Sequence, residues 1–383
     1  MTSQFPTLFK PFQFKNGSIL RNKTVMAPMT TWSANLDGTV SDEEIAYYRR
    51  RSNGVGMVIT GCTHVTPNGV GFYNEFAAFD DKFTLSLKAL ADAIKSGGAK
   101  AVLQVFHAGN KAVPELVEGG VVSSSNAMAT PGPFNGSDIV PRELTPTEIN
   151  EIVTAFGQVT RRAIEAGFDG IELHGAHGFL IQNFLSPRFN LRTDQWGGSL
   201  EKRMAFALAV VSEVKRVAKA LAPTDFIIGY RFSSEEAEID GLKIEDTLAL
   251  IDELQSLEVD YIHASLPDVV NSKVMYSASN ESTIGRIVSH LQNRIPLIVA
   301  GRIDTPAVAE KALNMGATLA AIGKGLVINP NWVELVQQDN LQAMDFAIAQ
   351  HDVEHKSIPM GLWKIIESTT GWFPVNTATN LNR

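Results

Sequence analysis

The feature that most constrains the fold is a series of eight short, largely apolar segments with helix-like stretches between them. Each segment is five to seven residues long and is bounded by glycine, proline or polar residues. Short runs that stay apolar, instead of alternating with polar residues, are typical of strands buried on both faces of a parallel sheet. The predicted strands comprise residues 23–27, 54–60, 101–105, 169–173, 226–231, 260–264, 295–300 and 317–322.

Strands that alternate with helices predict an α/β fold with one parallel sheet. Right-handed crossovers close eight such units into a (β/α)₈ TIM barrel, and a barrel with insertions accounts for 383 residues in a single domain. The alternative is an open doubly wound sheet, which would carry G-x-G-x-x-G at its first strand–helix turn. The chain has Ala27-Pro28-Met29-Thr30 there, so we predict the barrel.

Three segments lie outside this repeat. Residues 1–22 form a lead-in that suits a hairpin, because Asn16-Gly17 marks a turn between two apolar stretches. Residues 114–142, after the third strand, are rich in Gly, Ser, Pro and Asn and predict a long loop excursion with room for a small hairpin. Residues 331–383 predict a helical C-terminal tail, whose aromatic residues suit packing on the barrel or on a second copy of the chain in a homo-oligomer.

Composition narrows the function classes. The net charge is −8, and acidic and basic residues are interspersed with no basic patch rich in aromatics, which argues against nucleic acid as a partner. One cysteine rules out an internal disulfide and fits a reducing compartment. The first residues lack the apolar core of a signal peptide, and no apolar run is long enough to span a membrane. We therefore expect a cytoplasmic protein without a membrane partner.

Two histidines follow the fourth predicted strand, at His174 and His177, three residues apart across a Gly-Ala turn. In parallel α/β folds the ligand lies beyond the carboxyl ends of the strands, so both rings can face one pocket. Spacing alone favours a hydrogen-bonded structural pair, then a clamp for a polar substrate. A metal site is favoured least because it needs a third ligand, and none is visible; we predict no metal.

Other polar residues also follow predicted strands. They are Thr30 after the first strand, Cys62 after the second, Gln104 within the third and Arg231 at the end of the fifth. Because the carboxyl ends of parallel strands meet at one rim, these residues predict a site. They do not identify a reaction.

The turns after strands seven and eight, Gly301-Arg302 and Gly323-Lys324, are both glycine-rich and basic. Glycine lets backbone N–H groups approach an anion, and this pair of turns is the usual phosphate site of the fold. A phosphate is therefore expected there. It suits FMN, a sugar phosphate or a nucleotide equally well.

A longer motif separates these options. His174-Gly-Ala-His177-Gly is followed by Phe184-Leu-Ser-Pro, by Asn190-Leu-Arg-Thr-Asp and by Trp196-Gly-Gly-Ser. This stretch closely resembles the Old Yellow Enzyme family of FMN-containing, NADH- or NADPH-dependent oxidoreductases, and the resemblance covers nearly the whole chain. It implies one FMN-binding barrel domain over residues 1–383, which passes hydride from NADH or NADPH through FMN to a small electron-poor acceptor such as an enone, a quinone or a nitro compound.

The resemblance also implies roles for single residues. FMN would be bound by the turn Ala27-Pro28-Met29-Thr30, the backbone of Cys62, the amide of Gln104, Arg231 beside flavin N1, and the phosphate turns Gly301-Arg302 and Gly323-Lys324. Lys324 stands where arginine is more usual. Trp32 would line the substrate pocket, and His174 and His177 would donate hydrogen bonds to the acceptor oxygen, as neutral rings or as imidazolium.

One position departs from the family pattern. Most relatives have a tyrosine two residues after the second clamp residue, and its hydroxyl protonates the carbon α to the acceptor carbonyl. This chain has Phe179 there, which carries no such proton. His107 and Tyr73 are candidate replacements. The departure keeps one alternative open, a flavin-binding protein impaired in catalysis. A phosphosugar-type barrel enzyme is a separate alternative. It would need a catalytic lysine or glutamate at a strand end, and the one lysine so placed, Lys324, sits in the phosphate turn.

Overall fold

The computed structural model describes residues 4–129 and 139–376, and its centre is a closed barrel of eight parallel strands. Each strand pairs with the next along the chain, and the eighth returns to the first, where Ala320 stands opposite Thr24. The predicted (β/α)₈ barrel is confirmed. The strands are β1 (Thr24–Met26), β2 (Met57–Ile59), β3 (Lys100–Phe106), β4 (Gly170–Gly175), β5 (Ile227–Ser233), β6 (Tyr261–Ser265), β7 (Leu297–Ala300) and β8 (Leu319–Ile322).

Helices follow the strands and bury their apolar faces against the barrel. None of those in the described ranges has the length and apolar character needed to cross a membrane. The helices are α1 (Asp42–Ser52), α2 (Thr84–Ser96), α3 (Pro146–Glu165), α4 (Leu180–Leu185), α5 (Leu200–Leu221), α6 (Ile244–Ser256), α7 (Thr283–Leu291), α8 (Pro306–Asn314), α9 (Lys324–Ile328), α10 (Trp332–Gln337) and α11 (Met360–Ser368).

Local chemistry sets the helix starts. Ser41 caps α1 and Thr145 caps α3, each in a reciprocal hydrogen-bonded box with the glutamate three residues on. The short helix α4 was not predicted. All six of its residues are buried, so it has no amphipathic period by which a sequence could reveal it.

The N-terminal lead-in closes the end of the barrel where the strands begin. Strands Phe12–Gln13 and Ile19–Leu20 pair antiparallel, as the predicted hairpin requires. Phe14 and Leu20 are buried in the same apolar cluster as the residues that fill the barrel. Asn16 Nδ2 donates to the Phe226 carbonyl at 3.0 Å, directly before β5. Access to the interior from this side is therefore blocked.

The excursion after β3 contains two short strands, Val122–Ser123 and Arg142–Glu143. They pair in parallel, so these two do not form a hairpin. Parallel neighbours need a longer connection than a tight turn provides. Residues 130–138 lie between them and outside the described residues.

The C-terminal tail packs on its own barrel. Trp332, Trp363 and Phe373 are each no more than 5% exposed. Arg51 of α1 is fully buried and donates to the carbonyls of Leu326, Val327, Lys356 and Ser357, which ties the tail to α9 and α1. The tail is not purely helical, because Ile348–Ala349 pairs with Val375–Asn376. Packing in a homo-oligomer remains a prediction.

The buried Glu44 of α1 gives the fold a pH dependence. Burial raises the pKa of Glu44 from its ordinary 4.5 to about 7, although hydrogen bonds from Thr31 and Ser41 oppose the shift. Since the folded state binds this proton more tightly, the stabilisation is complete below pH 4.5 and is lost as pH rises to 7. The difference is on the order of 3 kcal/mol in the free energy of unfolding.

We expect Glu44→Gln to remove this term, because glutamine retains the capping geometry and cannot ionise. The measurement is urea unfolding at several pH values between 4 and 8. The exposed neighbour Asp42 provides the control: Asp42→Asn should keep the wild-type slope. Identical slopes for wild type and Glu44→Gln would contradict the assignment.

Candidate functional site

A cavity of about 1150 Å³ opens at the carboxyl ends of the strands. Small-molecule sites usually measure about 300–1,000 Å³, so there is room for a cofactor and a substrate together. Apart from the candidate proton donors His107 and Tyr73, every site residue named from the sequence lines this cavity: Ala27, Pro28, Met29, Thr30, Trp32, Cys62, Gln104, His174, His177, Phe179, Arg231, Gly301, Arg302, Gly323 and Lys324.

The two histidine rings are close and uncharged. Their centroids are 4.9 Å apart. Desolvation lowers the pKa of both rings well below the ordinary value, and the positive charge of Arg231 lowers it further. His174 is buried, whereas His177 is exposed. The Ala176 N–H donates to His174 Nδ1 at 3.2 Å, so the His174 proton lies on Nε2. Both pKa shifts favour the neutral form of the rings.

His177 is held in an unusual backbone conformation by three contacts. Its φ is +61°, a left-handed conformation that costs on the order of 1–3 kcal/mol and persists only where the surroundings enforce it. Its N–H donates to Ser233 Oγ at 3.0 Å, and its carbonyl accepts from Lys111 Nζ at 2.8 Å. Its ring Nε2 lies 2.7 Å from Ser265 Oγ.

Ser265 decides which ring nitrogen of His177 carries the proton. Arg231 Nη2 donates to Ser265 Oγ at 3.0 Å, and a guanidinium can only donate. With one of its two acceptor positions occupied, the serine can donate its hydroxyl hydrogen to His177 Nε2, and in that arrangement the imidazole proton lies on Nδ1. The sequence analysis missed Ser233, Ser265 and Lys111. The two serines stand opposite each other at the ends of β5 and β6, so the same strand-end rule applies to them.

A polar cluster lies in the barrel beneath the cavity. The Glu172 carboxylate is fully buried and accepts from Gln104 Nε2 at 2.6 Å, from Tyr261 Oη at 3.0 Å and from His263 Nδ1 at 2.9 Å. Arg231 interacts electrostatically with the same carboxylate, and its Nε has no hydrogen-bond partner among the described residues. A charged residue inside an apolar strand, in Gly-Ile-Glu-Leu-His, was the available signal for Glu172.

The turn after β7 requires glycine. Gly301 has a φ of +149°, and a Cβ there would lie 2.4 Å from the Leu266 carbonyl oxygen. The next residue, Arg302, is also left-handed with a φ of +52°. Two consecutive residues with positive φ therefore shape this turn where it lines the cavity.

The opposite side of the same end is formed by the turn after β8 and by the tail. Lys324 follows Gly323 and donates to the carbonyl of Trp372, with its ammonium 5.5 Å from the Phe373 ring centre. Residues 371–374 line the cavity here. The sequence did not reveal that the tail contributes to the site.

Aromatic side chains line a further part of the cavity and adjoin the tail, since the ring centres of Trp32 and Trp372 are 6.0 Å apart. Trp32 and Phe72 meet edge to face at 5.5 Å. Phe179 is 4% exposed, with ring centres 4.8 Å from Phe106 and 4.9 Å from His174. Within the described ranges no tyrosine lines the cavity.

The two candidate replacements for a tyrosine donor lie elsewhere. Neither His107 nor Tyr73 lines the cavity. Tyr73 Oη donates to Glu115 in an exposed loop. Burial lowers the pKa of His107 to about 3.

Cys62 contributes a thiol to the cavity wall. Burial raises the pKa of the Cys62 thiol well above its ordinary value, so the group stays protonated, 3.6 Å from Gln104 Oε1. Among the described residues, no group of three or more His, Cys, Asp or Glu side chains could hold a metal ion.

A profile of the NADH:flavin oxidoreductase / NADH oxidase family matches residues 7–342. The probable NADH-dependent flavin oxidoreductase YqiG of Bacillus subtilis is 43% identical over 376 residues, which cover 98% of this chain and 99% of that protein. The NADH:acrylate oxidoreductase of Vibrio harveyi is 39% identical over 357 residues. This alignment covers 92% of the chain but only 35% of that longer relative.

Among solved structures, the Old Yellow Enzyme homologue from Zymomonas mobilis superposes with a TM-score of 0.75 at 23% identity, over 87% of this chain and 93% of that one. At this identity the match shows the shared barrel fold. The family profile and the identity to YqiG show the family itself, and they exclude the phosphosugar-type alternative. The chain belongs to the NADH:flavin oxidoreductase / NADH oxidase family, in agreement with its resemblance to the Old Yellow Enzymes.

Proposed function

We propose that this NAD(P)H-dependent flavin oxidoreductase reduces small planar acceptors, and that it reduces quinones, nitro compounds and dioxygen faster than simple enones. The observation that carries the acceptor preference is the buried phenyl ring of Phe179, beside His174 in a cavity without a lining tyrosine in its described part. When bound, FMN supplies the hydride exchange between the nicotinamide and the acceptor.

The cavity residues fit FMN. Arg231 presents a buried guanidinium with an unpartnered Nε, which suits a ring that becomes anionic on reduction. Gln104 offers an amide for the pyrimidine edge. Arg302 and Lys324 provide cations beside the strained glycine turn, where a phosphate would be held. Residues of β3, β5, β7 and β8 thus contribute to one cofactor site.

His174 and His177 would act as the acceptor clamp. Their free N–H groups, on Nε2 and Nδ1 respectively, belong to rings 4.9 Å apart that both line the cavity. Two such donors would hold one carbonyl or nitro oxygen and stabilise the negative charge that grows on it during reduction. Because both rings are neutral, they would donate hydrogen bonds without giving up a proton to the acceptor.

A graded set of variants tests the clamp with a para-substituted phenol, whose phenolate resembles the charged acceptor oxygen. A hydrogen bond to a charged group is worth about 1.5–3 kcal/mol, so the double variant His174→Ala/His177→Ala should weaken phenol binding by at least roughly 10-fold. Ser265→Ala should cause a smaller loss of phenol affinity, because His177 can then adopt either tautomer. Ser265→Thr keeps the hydroxyl and should restore binding.

The measurement is titration of the FMN-loaded protein with the phenol, followed by the charge-transfer absorption band. In every variant the bound FMN should remain reducible by NADH or NADPH. Unaltered phenol affinity in the double variant would rule out the clamp. A loss of FMN in the Ser265 variants would show that this serine serves the cofactor and not His177.

The missing hydroxyl at residue 179 sets the acceptor preference. Reduction of an enone requires a proton at the α-carbon, and Phe179 has none to give. Lys111 also lines the cavity, and its ammonium is hydrogen-bonded to the His177 carbonyl at 2.8 Å. Quinones, nitro groups and dioxygen accept electrons without protonation of a carbon atom, so the lack of a donor would not slow them.

Phe179→Tyr should therefore accelerate reoxidation of the reduced enzyme by cyclohexenone. A positioned general acid contributes about 10²–10⁴-fold, which is the upper range of the expected gain. Reduction of the flavin by NADH or NADPH and reoxidation by a quinone should not change. Stopped-flow absorbance follows both half-reactions separately.

Phe72→Tyr is the matched control, because Phe72 lies on the same aromatic wall with its ring centre 6.1 Å from that of Phe179. It adds a hydroxyl to the cavity at a different point and should give no gain with cyclohexenone. If the wild type already reacts rapidly with the enone and Phe179→Tyr gains nothing, the proposed acceptor preference is wrong.

A further inference from the structure

We propose that Glu172 is a positioning residue that fixes the amide of Gln104 with its oxygen towards the cavity, so that the site selects a ring presenting an N–H donor. We further propose that Glu172 offsets part of the charge of Arg231. This inference rests on the FMN site proposed above and concerns Glu172, to which that proposal gives no role.

The barrel register brings these residues into one row. Gln104 of β3 stands opposite Glu172 of β4, which stands opposite Gly229 of β5 and then Tyr261 of β6. A Cβ on Gly229 would lie 2.0 Å from the Tyr261 ring. The glycine therefore makes room for the Tyr261 side chain to cross β5 and reach Glu172.

The ionised state of Glu172 determines how Gln104 is oriented. Burial alone would raise the pKa of Glu172, but His263, Arg231 and Gln104 outweigh it and bring the pKa below its ordinary value. An ionised carboxylate has no proton to donate, so only the NH₂ end of an amide can face it. The 2.6 Å contact is therefore made by Gln104 Nε2, and Gln104 Oε1 is turned away from Glu172.

The free end of Gln104 faces the ligand. Gln104 lines the cavity, whereas Glu172 does not, and Oε1 lies on the side of Cys62, which also lines the cavity. A carbonyl oxygen at this point accepts a hydrogen bond. In a flavin, the pyrimidine edge offers one N–H, at N3, between two carbonyls. The fixed amide would accept from N3–H and would be mismatched with either carbonyl.

The same carboxylate affects Arg231. Attraction to Glu172 opposes the lowering of the Arg231 pKa by burial, so the two charges interact inside the barrel. A lone buried cation would favour the reduced, anionic ring more strongly than a partly compensated one. Removal of the negative charge should therefore make the bound flavin easier to reduce.

The first experiment compares binding of FMN and 3-methyl-FMN, in which a methyl group replaces the N3 hydrogen. The full-length protein is stripped of flavin and reloaded with each compound. The wild type should prefer FMN by roughly 5-fold or more, since the methyl group removes a buried hydrogen bond and leaves its acceptor unpaired. In Glu172→Gln the preference should fall several-fold, because a glutamine at 172 accommodates either orientation of Gln104.

Tyr261→Phe is the control, because it removes one donor to Glu172 without touching Gln104. It should keep the wild-type preference for FMN. If the role of Glu172 were merely structural, both variants would bind FMN and 3-methyl-FMN more weakly, and by the same factor. Equal binding of FMN and 3-methyl-FMN by the wild type overturns the inference, even if Glu172→Gln fails to fold. A protein that binds neither flavin would instead contradict the proposed function.

The second experiment measures the equilibrium between oxidised and reduced FMN on the loaded protein against a reference dye. In Glu172→Gln the ratio of reduced to oxidised flavin at a fixed ambient potential should rise several-fold over wild type. Tyr261→Phe should leave the ratio close to the wild-type value. An unchanged or lower ratio in Glu172→Gln would show that Glu172 does not offset the charge of Arg231.

Discussion

The site depends on the closure of the parallel sheet. The pairing of β8 with β1 places residues from opposite ends of the chain at one rim, so that Met29 lies beside Gly323. Because all eight strands run in the same direction, their carboxyl ends all face the same side of the barrel. The N-terminal hairpin fills the other side. Closure therefore creates a cavity from short turns that have little structure of their own.

Electrostatics inside the cavity follow from burial. The barrel places a permanent cation, Arg231, between the anion Glu172 below and the histidine pair above. Desolvation and the charge of Arg231 both favour the neutral form of His174 and His177, while the interaction with Arg231 helps to keep Glu172 ionised. Burial and neighbouring charges therefore act in the same direction on the histidines. On Glu172 they oppose each other, and the neighbouring charges prevail.

Much of the fold could be predicted from the sequence because its signals are local. Apolar runs marked all eight strands, and the Ser41 and Thr145 boxes marked the starts of α1 and α3. Residues at strand ends could be assigned to one rim by topology alone. Helix α4 was not predicted because all its residues are buried, so its sequence shows no amphipathic period.

The contacts that organise the site could not be predicted in this way. Lys111, Ser233 and Ser265 meet at His177 from three separate strand ends, and nothing in their local sequences indicates that they share a partner. The role of Glu172 depends on the register between strands, which the sequence of one strand does not contain. The tail reaches the cavity only some fifty residues after the last strand, so its contribution depends on the path of that whole segment.

The left-handed backbone at His177 also limits how this position can evolve. Apart from glycine, asparagine, aspartate and histidine are the residues most enriched in this conformation. Glycine has no side chain, and an ionised aspartate offers no donor. Asparagine and histidine are the two members of this set that carry a neutral N–H group. The left-handed φ of His177 thus favours the two residue types that could serve the proposed clamp as neutral donors.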